Sequence, residues 1–336
     1  MSALIDRSQL QPVISRHKPL WNGVAIAYTL LSYLAGLTLM VQPSVWLNTF
    51  GVLLLTHSLV YSAYFTHEFF HGSIFVGRRW NAIGGTLMLW LNGGCYVSFN
   101  DLAKCHIAHH VDRVDFSGFD LVEALQALPQ PIRWVILGLE WLYFPIISFW
   151  LQWRSVLKTW QRPDQRLHIA LTLVIRGILF TLLGWISLKA LVLYFIAHIS
   201  MVNLLRWMDA FQHTYEVLPV GTPVPLRSRE HEQANTFSTL ISSRYRWLNL
   251  LLLNAGYHNA HHEVMQCPWH SLSDLDSTLF NGDEVHYVPL SQLLLSYHRF
   301  RIKRIFLGQG QGADENRQPT PDLFYGAVGV SFLTVY

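Results

Sequence analysis

Apolar residues run along this chain in long blocks, and the first of these blocks carries no charge. Between Lys18 and Glu68 there is no Asp, Glu, Lys or Arg, which is room for two membrane-crossing helices of about 20 residues and a turn. The pattern predicts these helices over 22–41 and 45–66, joined at Gln42, Pro43 and Ser44. A second hairpin is predicted over 168–207, with a break near Ser187, Leu188 and Lys189. Arg176 lies inside it; a charge there snorkels, faces the protein interior or marks a span that begins later. Two weaker apolar stretches, 80–99 and 134–153, are interrupted by Gly84, Gly85, Gly93 and Gly94 and by Glu140 and Pro145. Both are expected to be re-entrant or interfacial. The first apolar run is too long for a removable signal peptide and lacks a small-residue cleavage site. Residues 308–322 are polar and rich in Gly, Gln and Pro, the composition of a disordered linker. The last apolar stretch, 323–336, is too short to span.

Composition agrees with a membrane-embedded chain: 51% of residues are apolar, 13% are charged and 13 are Trp. A net charge of +3, with no basic run interleaved with aromatics, excludes nucleic acid as a partner. Cys95, Cys105 and Cys267 have spacings that support neither a disulfide framework nor a cysteine-rich metal site. The unusual figure is 17 histidines against 24 lysines and arginines. Imidazole is used here repeatedly.

Three clusters hold most of them. His67-Glu68-Phe69-Phe70-His71 lies at the end of the second predicted span, where the i and i+4 imidazoles share a helix face. His106-Ile107-Ala108-His109-His110 and His258-Asn259-Ala260-His261-His262 each present three imidazoles within about one helical turn. The clusters can meet only if they lie on one membrane face, which four crossings allow. The turn at Gln42 has no basic residue and the one at Ser187 has one, so the positive-inside rule puts the clusters in the cytoplasm. The expected fold is therefore all-α and polytopic. It has four transmembrane helices in two hairpins, interfacial or re-entrant helices and a cytoplasmic histidine-rich cap. One membrane-embedded unit covers 1–307 and a polar tail covers 308–336.

Buried imidazoles each bring a donor and an acceptor that need partners, and a metal supplies them. Imidazole suits zinc, copper, iron and nickel, and eight ligands exceed what one ion takes. Two ions bordering a hydrocarbon medium suggest iron used for oxygen activation near an apolar substrate.

The three boxes, standing here as HEFFH, HIAHH and HNAHH in this order around two hairpins, resemble the integral-membrane fatty acid desaturase superfamily over 56–269. The resemblance implies a non-haem diiron centre with O2 as co-substrate and an acyl chain led past it in an apolar tunnel. It implies a further ligand after the last span, where His213 stands. The ligand set is then His67, His71, His106, His109, His110, His213, His258, His261 and His262. Asp209, four residues before His213, occupies a place where some members have an asparagine that reaches a metal through water. It ligates iron, orients a ligating histidine or caps a helix end. Glu68 and Glu263 adjoin boxes one and three and are candidates to orient ligands, Glu68 being the catalytic candidate alongside Asp209. His231 is a candidate to line the site. His57, roughly 80° off the His67 face, and His198 read as satisfied core histidines, and His17, His168, His270, His286 and His298 as peripheral ones.

Rival classes remain at this point. HEFFH also matches His-Glu-x-x-His, the signature of a zinc protease with Glu68 as general base, but that reading leaves the other boxes unexplained. A metal store needs no hydrocarbon-bounded cage. Within the superfamily, desaturation of a fatty acyl chain is the leading expectation. Hydroxylation, and decarboxylation of a free fatty acid to a terminal alkene, begin with the same hydrogen abstraction. The segments EQANTFS at 232–238 and LNLLLLNAGYHNAHH at 248–262 are similar to a bacterial subgroup that includes terminal-alkene-forming decarboxylases. Three cysteines cannot supply a four-thiolate cluster, and no haem-attachment motif occurs. Electrons are therefore expected from a separate ferredoxin-like or cytochrome-like donor with its reductase. Lys104, Arg113, Arg227 and Arg229 are either its docking residues or ordinary positive-inside charges. The other expected partners are the fatty acid or acyl substrate and membrane lipid, and the expected location is a bacterial inner membrane.

Overall fold

With no charge to interrupt them, the helices of the first hairpin, α1 (Pro19–Met40) and α2 (Val45–His71), run unbroken in the structure, a computed structural model that describes residues 18–219, 221–282 and 284–329. His17 and the end of the last apolar stretch lie outside the described residues. The chain continues through α3 (Arg78–Asn92), α4 (Phe99–Asp112), strand β1 (Asp115–Ser117), α5 (Leu121–Gln126), α6 (Gln130–Trp141) and α7 (Ile146–Trp160). The second hairpin is α8 (Arg166–Ile186) and α9 (Leu188–Asp209). A cap follows: β2 (Val217–Pro219), α10 (Arg229–Ala234), β3 (Ser238–Leu240), α11 (His258–Glu263), α12 (Leu272–Leu279), β4 (Tyr287–Pro289), α13 (Leu290–Phe300) and α14 (Lys303–Leu307).

Helices α1, α2, α8 and α9 have 22, 27, 21 and 22 residues and are apolar enough to cross a bilayer. Leu31, Leu34, Leu53, Leu171 and Ile178 stay exposed on them, as lipid-facing residues do. Where α1 and α2 meet, a Cβ on Gly36 would lie 2.9 Å from Leu55 Cβ, and one on Gly51 2.9 Å from Gly36 O. Small residues at that crossing let two backbones touch, the usual packing device where lipid removes the hydrophobic drive. The Asn48 side chain then closes the turn, donating to the Leu39, Met40 and Gln42 carbonyls at 3.0, 3.2 and 2.9 Å. Lys189 donates to Gln42 O, so the turns of both hairpins meet at one end. The histidine-bearing ends of α2 and α9 therefore share the other.

Arg176 sits in the middle of an unbroken α8, so the span does not begin later. The side chain is buried and donates to Trp90 O at 3.0 Å. It faces the interior and holds the C-terminal end of α3 against the hairpin. Neither weak apolar stretch gives a straight span: α3 has 15 residues, and α6 and α7 are bent by 113° at the break that includes Pro145.

The polar tail departs from the expected linker. Gln311 N–H donates to Leu323 O at 3.0 Å, Tyr325 N–H to Gln309 O at 2.9 Å and Ala327 N–H to Ala210 O at 2.6 Å. Phe324 is buried, with its ring 5.2 Å from Phe211 and 4.9 Å from Phe237. One aromatic anchor and a set of backbone bonds outweigh a polar composition, and the segment is tied three residues ahead of His213.

Candidate metal centre

Each histidine box reaches the centre from a different support. His67 and His71 are the last turn of α2, so the longest span carries the first box out of the membrane. His106, His109 and His110 lie on α4, whose N-cap Ser98 accepts from Asp101 N–H at 3.2 Å. The third box is α11, and it needs Gly256 ahead of it: a Cβ there would lie 2.3 Å from Thr239 O. Asn259, inside this box, donates to Thr236 O at 2.8 Å and to Gln233 Oε1 at 3.0 Å. That ties α11 to the segment following α10. His213 follows α9 and pairs with Thr236 in an isolated antiparallel bridge.

The nine imidazoles converge as two groups. The donor atoms of His67, His71, His106, His110 and His261 all lie within 4.8 Å of one another, and so do those of His109, His213 and His262. His258 joins the second group, its Nε2 lying 2.8 Å from His213 Nε2. His110 and His262 are shared with Glu232 in a further group, so the two sets adjoin.

The spacing of these atoms tests whether cations fit. His106 Nε2 lies 2.9 Å from His71 Nε2 and 3.1 Å from His110 Nε2, and His110 Nε2 lies 3.2 Å from His261 Nε2. His213 Nε2 faces His109 Nε2 at 3.1 Å as well as His258. A ring nitrogen has either one N–H or one lone pair. His106, His110 and His213 each face two such neighbours, so hydrogen bonding cannot satisfy them. An ion about 2.1 Å from each nitrogen, with neighbouring ligands near right angles, sets the nitrogens roughly 3 Å apart. The donor set fits metal ions, and imidazole is a ligand of iron.

Electrostatics agrees. Burial, and after it the neighbouring imidazoles, hold His106, His110, His213, His258, His261 and His262 well below the ordinary histidine value. They are neutral at pH 7, with lone pairs to offer.

Carboxylates orient the outer faces of the rings. Glu68 Oε1 lies 3.4 Å from His67 Nδ1, while Oε2 accepts from Ser73 Oγ at 2.7 Å and Trp269 N–H at 3.0 Å. A protease base must reach a water. Glu68 is instead spent on joining the first box to the loop after the third. Asp115 Oδ1 lies 3.0 Å from His109 Nδ1. Glu232 Oε1 accepts from His262 Nδ1 at 3.0 Å and Oε2 from Arg113 Nε at 2.7 Å, which leaves the buried His262 Nε2 without a partner among the described residues. Burial pushes the Glu232 carboxyl up, and Arg113 pulls it down.

Asp209 bonds to no imidazole among the described residues. Its Oδ1 accepts from Tyr64 OH at 3.1 Å, and its buried Oδ2 has no partner among the described residues. Glu263 turns to Arg229. His231 stands outside the cage, stacked 6.4 Å from Tyr215. His57 is satisfied by Tyr28 OH at 2.6 Å and Leu251 O at 3.0 Å, as a core histidine should be. Sequence reasoning missed Asp115 and the role of Glu232. Neither has a fixed spacing to its histidine, and only the preference of ligating imidazoles for a carboxylate on the second nitrogen points to such residues.

Four spanning helices beneath a double histidine cage define a membrane protein built to hold metal. The fatty acid desaturase family model matches residues 44–293, which include all three boxes, and the chain belongs to that family. Comparison with curated proteins finds no match.

Proposed function

We propose that this fatty acyl desaturase-type oxidoreductase is a diiron enzyme that uses O2 to introduce a double bond into a fatty acyl chain. The observation that carries this reading is the division of nine imidazoles into two adjoining groups. His67, His71, His106, His110 and His261 would hold one iron, and His109, His213, His258 and His262 the other. Irons held there would supply the oxidant, formed from O2 and two electrons, that breaks unactivated C–H bonds.

The balance sets what the residues must do. The substrate loses one hydrogen from each of two neighbouring carbons, a donor supplies two electrons and two protons, and O2 leaves as two waters. Glu232 holds Nδ1 of His262 and the Val114 carbonyl Nδ1 of His109, with Asp115 3.0 Å from the same nitrogen and Glu68 3.4 Å from Nδ1 of His67, and these contacts would fix which nitrogen faces inward. Asp209, with Tyr64 on one oxygen and its buried Oδ2 without a partner among the described residues, would take and return a proton. The bias of basic residues toward the histidine-bearing side supports a cage that faces the cytoplasm, and the membrane would be a bacterial inner membrane. Electrons come from a separate ferredoxin-like or cytochrome-like carrier.

The test is to give purified enzyme a reductase system, O2 and a saturated substrate, and to analyse volatile and non-volatile products. An internal alkene of unchanged carbon number is expected. A volatile terminal alkene one carbon shorter, or a hydroxy acid, would keep the oxidant and replace the reaction. Peptide cleavage without O2 would overturn both.

A further inference from the structure

Glu140 is the one charge in the apolar stretch 134–153. In the fold it is buried, accepting from Arg206 Nη2 on α9 at 3.0 Å and from Ile147 N–H at 2.8 Å. Two further arginines are buried near this pair. Arg304 directs its N–H groups to the Tyr297, Phe300 and Ala327 carbonyls. Arg301, between α13 and α14, is 3% exposed, and its Nε and Nη1 have no hydrogen-bond partner among the described residues.

Aromatic rings link the three cations. Arg206 and Arg304 lie 5.8 and 4.3 Å from the Tyr297 ring centroid, that ring stacks 6.3 Å from Tyr143, and Arg301 lies 3.8 Å over Tyr143. Among the described residues, Glu140 is the carboxylate bonded to this group, so three guanidiniums stand against one acid. Burial lowers the Arg304 pKa to about 9, and the Arg206 and Arg301 charges add to that fall. A ring face attracts a cation but gives its N–H edge no acceptor, and a buried charge without a hydrogen-bonded partner is costly. The cluster is complementary to an anion.

Its surroundings select the kind of anion. Arg206 lies in the last turn of the spanning helix α9, which puts the cluster at headgroup depth on the histidine-bearing side. Arg301 also faces the Trp141 ring at 5.6 Å, and Trp141 and Leu142, at the bend between α6 and α7, are exposed, as are Trp134 and Val135 on α6. Exposed tryptophans beside aliphatic residues suit a membrane interface. We propose that Arg301, with the Arg206 and Arg304 charges behind it, binds the phosphodiester of an anionic phospholipid whose acyl chains lie over Trp141 and Leu142. A phosphatidylglycerol headgroup offsets the excess positive charge, whereas a choline headgroup brings a cation of its own. The site contains none of the nine imidazoles and does not depend on which reaction the cage performs.

The test follows thermal unfolding of the delipidated, iron-loaded protein in an uncharged detergent as dioleoylphosphatidylglycerol, dioleoylphosphatidylcholine or inorganic phosphate is added. Phosphatidylglycerol should raise the midpoint by about 5 °C at saturation, at roughly tenfold lower concentration than the choline lipid, and inorganic phosphate should leave it unchanged. Arg301→Met should abolish the response and, because it removes a buried charge with no hydrogen-bonded partner, raise the midpoint of the lipid-free protein. Arg301→Lys should keep part of the response. Arg299→Ala, which removes an exposed arginine paired with Asp322, should keep all of it. Equal responses to the two lipids, an equal response to inorganic phosphate or an unchanged response in Arg301→Met would overturn the proposal. So would a lower lipid-free midpoint in Arg301→Met together with no lipid response in the unaltered protein, the result expected if the stacked rings alone hold the guanidinium.

Discussion

Asp209 and Glu232 are carboxylates with different partners, and those partners give them different tasks. Glu232 is bonded to a ligating imidazole on one oxygen and to Arg113 on the other. Removing its charge should loosen His262, and loss of such a carboxylate typically costs 10–100-fold, roughly, in metal affinity. Asp209 touches Tyr64 and no imidazole, so its loss should spare the metal and slow proton transfer, by about 100-fold or more. Iron analysis beside single-turnover rates separates the two. Glu232→Gln should fall below two irons per chain, while Asp209→Asn keeps both and turns over slowly. The opposite pattern would exchange the roles. The histidines that converge were legible in the sequence because helical geometry brings residues three and four apart onto one face. Two carboxylates beside them, Asp115 and Glu232, were not. Glu232 lies 30 residues from His262, and Asp115 reaches His109 from β1, which pairs in parallel with β2 far along the chain.

At the scale of elements, a charge-free run announced the first hairpin and a long apolar block the second, and the break at Ser187 was visible beforehand. What the pattern left open was decided by single side chains. Arg176 stays in an unbroken helix because Trp90 O accepts its N–H inside the protein. The tail docks because Phe324 inserts between Phe211 and Phe237, which a count of polar residues does not register. Phe324→Ala leaves a cavity and should cost about 3–5 kcal/mol. Because Ala327 bonds Ala210, the loss should reach His213. A lower midpoint of thermal unfolding together with reduced iron retention is expected in detergent-purified protein. Unchanged values of both would mean that the tail does not support the cage.

For the whole molecule, the cage makes stability depend on pH even without metal. In an unfolded chain the imidazoles titrate near about 6.5, whereas burial holds those of His106, His110, His213, His258, His261 and His262 well lower in the fold. Below about 6.5 the unfolded chain takes up protons that the folded chain refuses, so stability falls as the pH falls, and above pH 7 both states are neutral and the dependence vanishes. Metal-stripped protein should unfold at a lower temperature at pH 5.5 than at pH 7.5. A midpoint independent of pH over that range would contradict the burial of these rings.

Metal content tests the central claim most directly, because the division of nine imidazoles into two groups predicts two ions and not one. Purified protein should contain two irons per chain. His71→Ala and His258→Ala should each lower that number and abolish turnover, while His298→Ala, outside the cage and bonded to Tyr143, should leave it at two. One zinc per chain, or two irons retained with full turnover in both His71→Ala and His258→Ala, would contradict the diiron account.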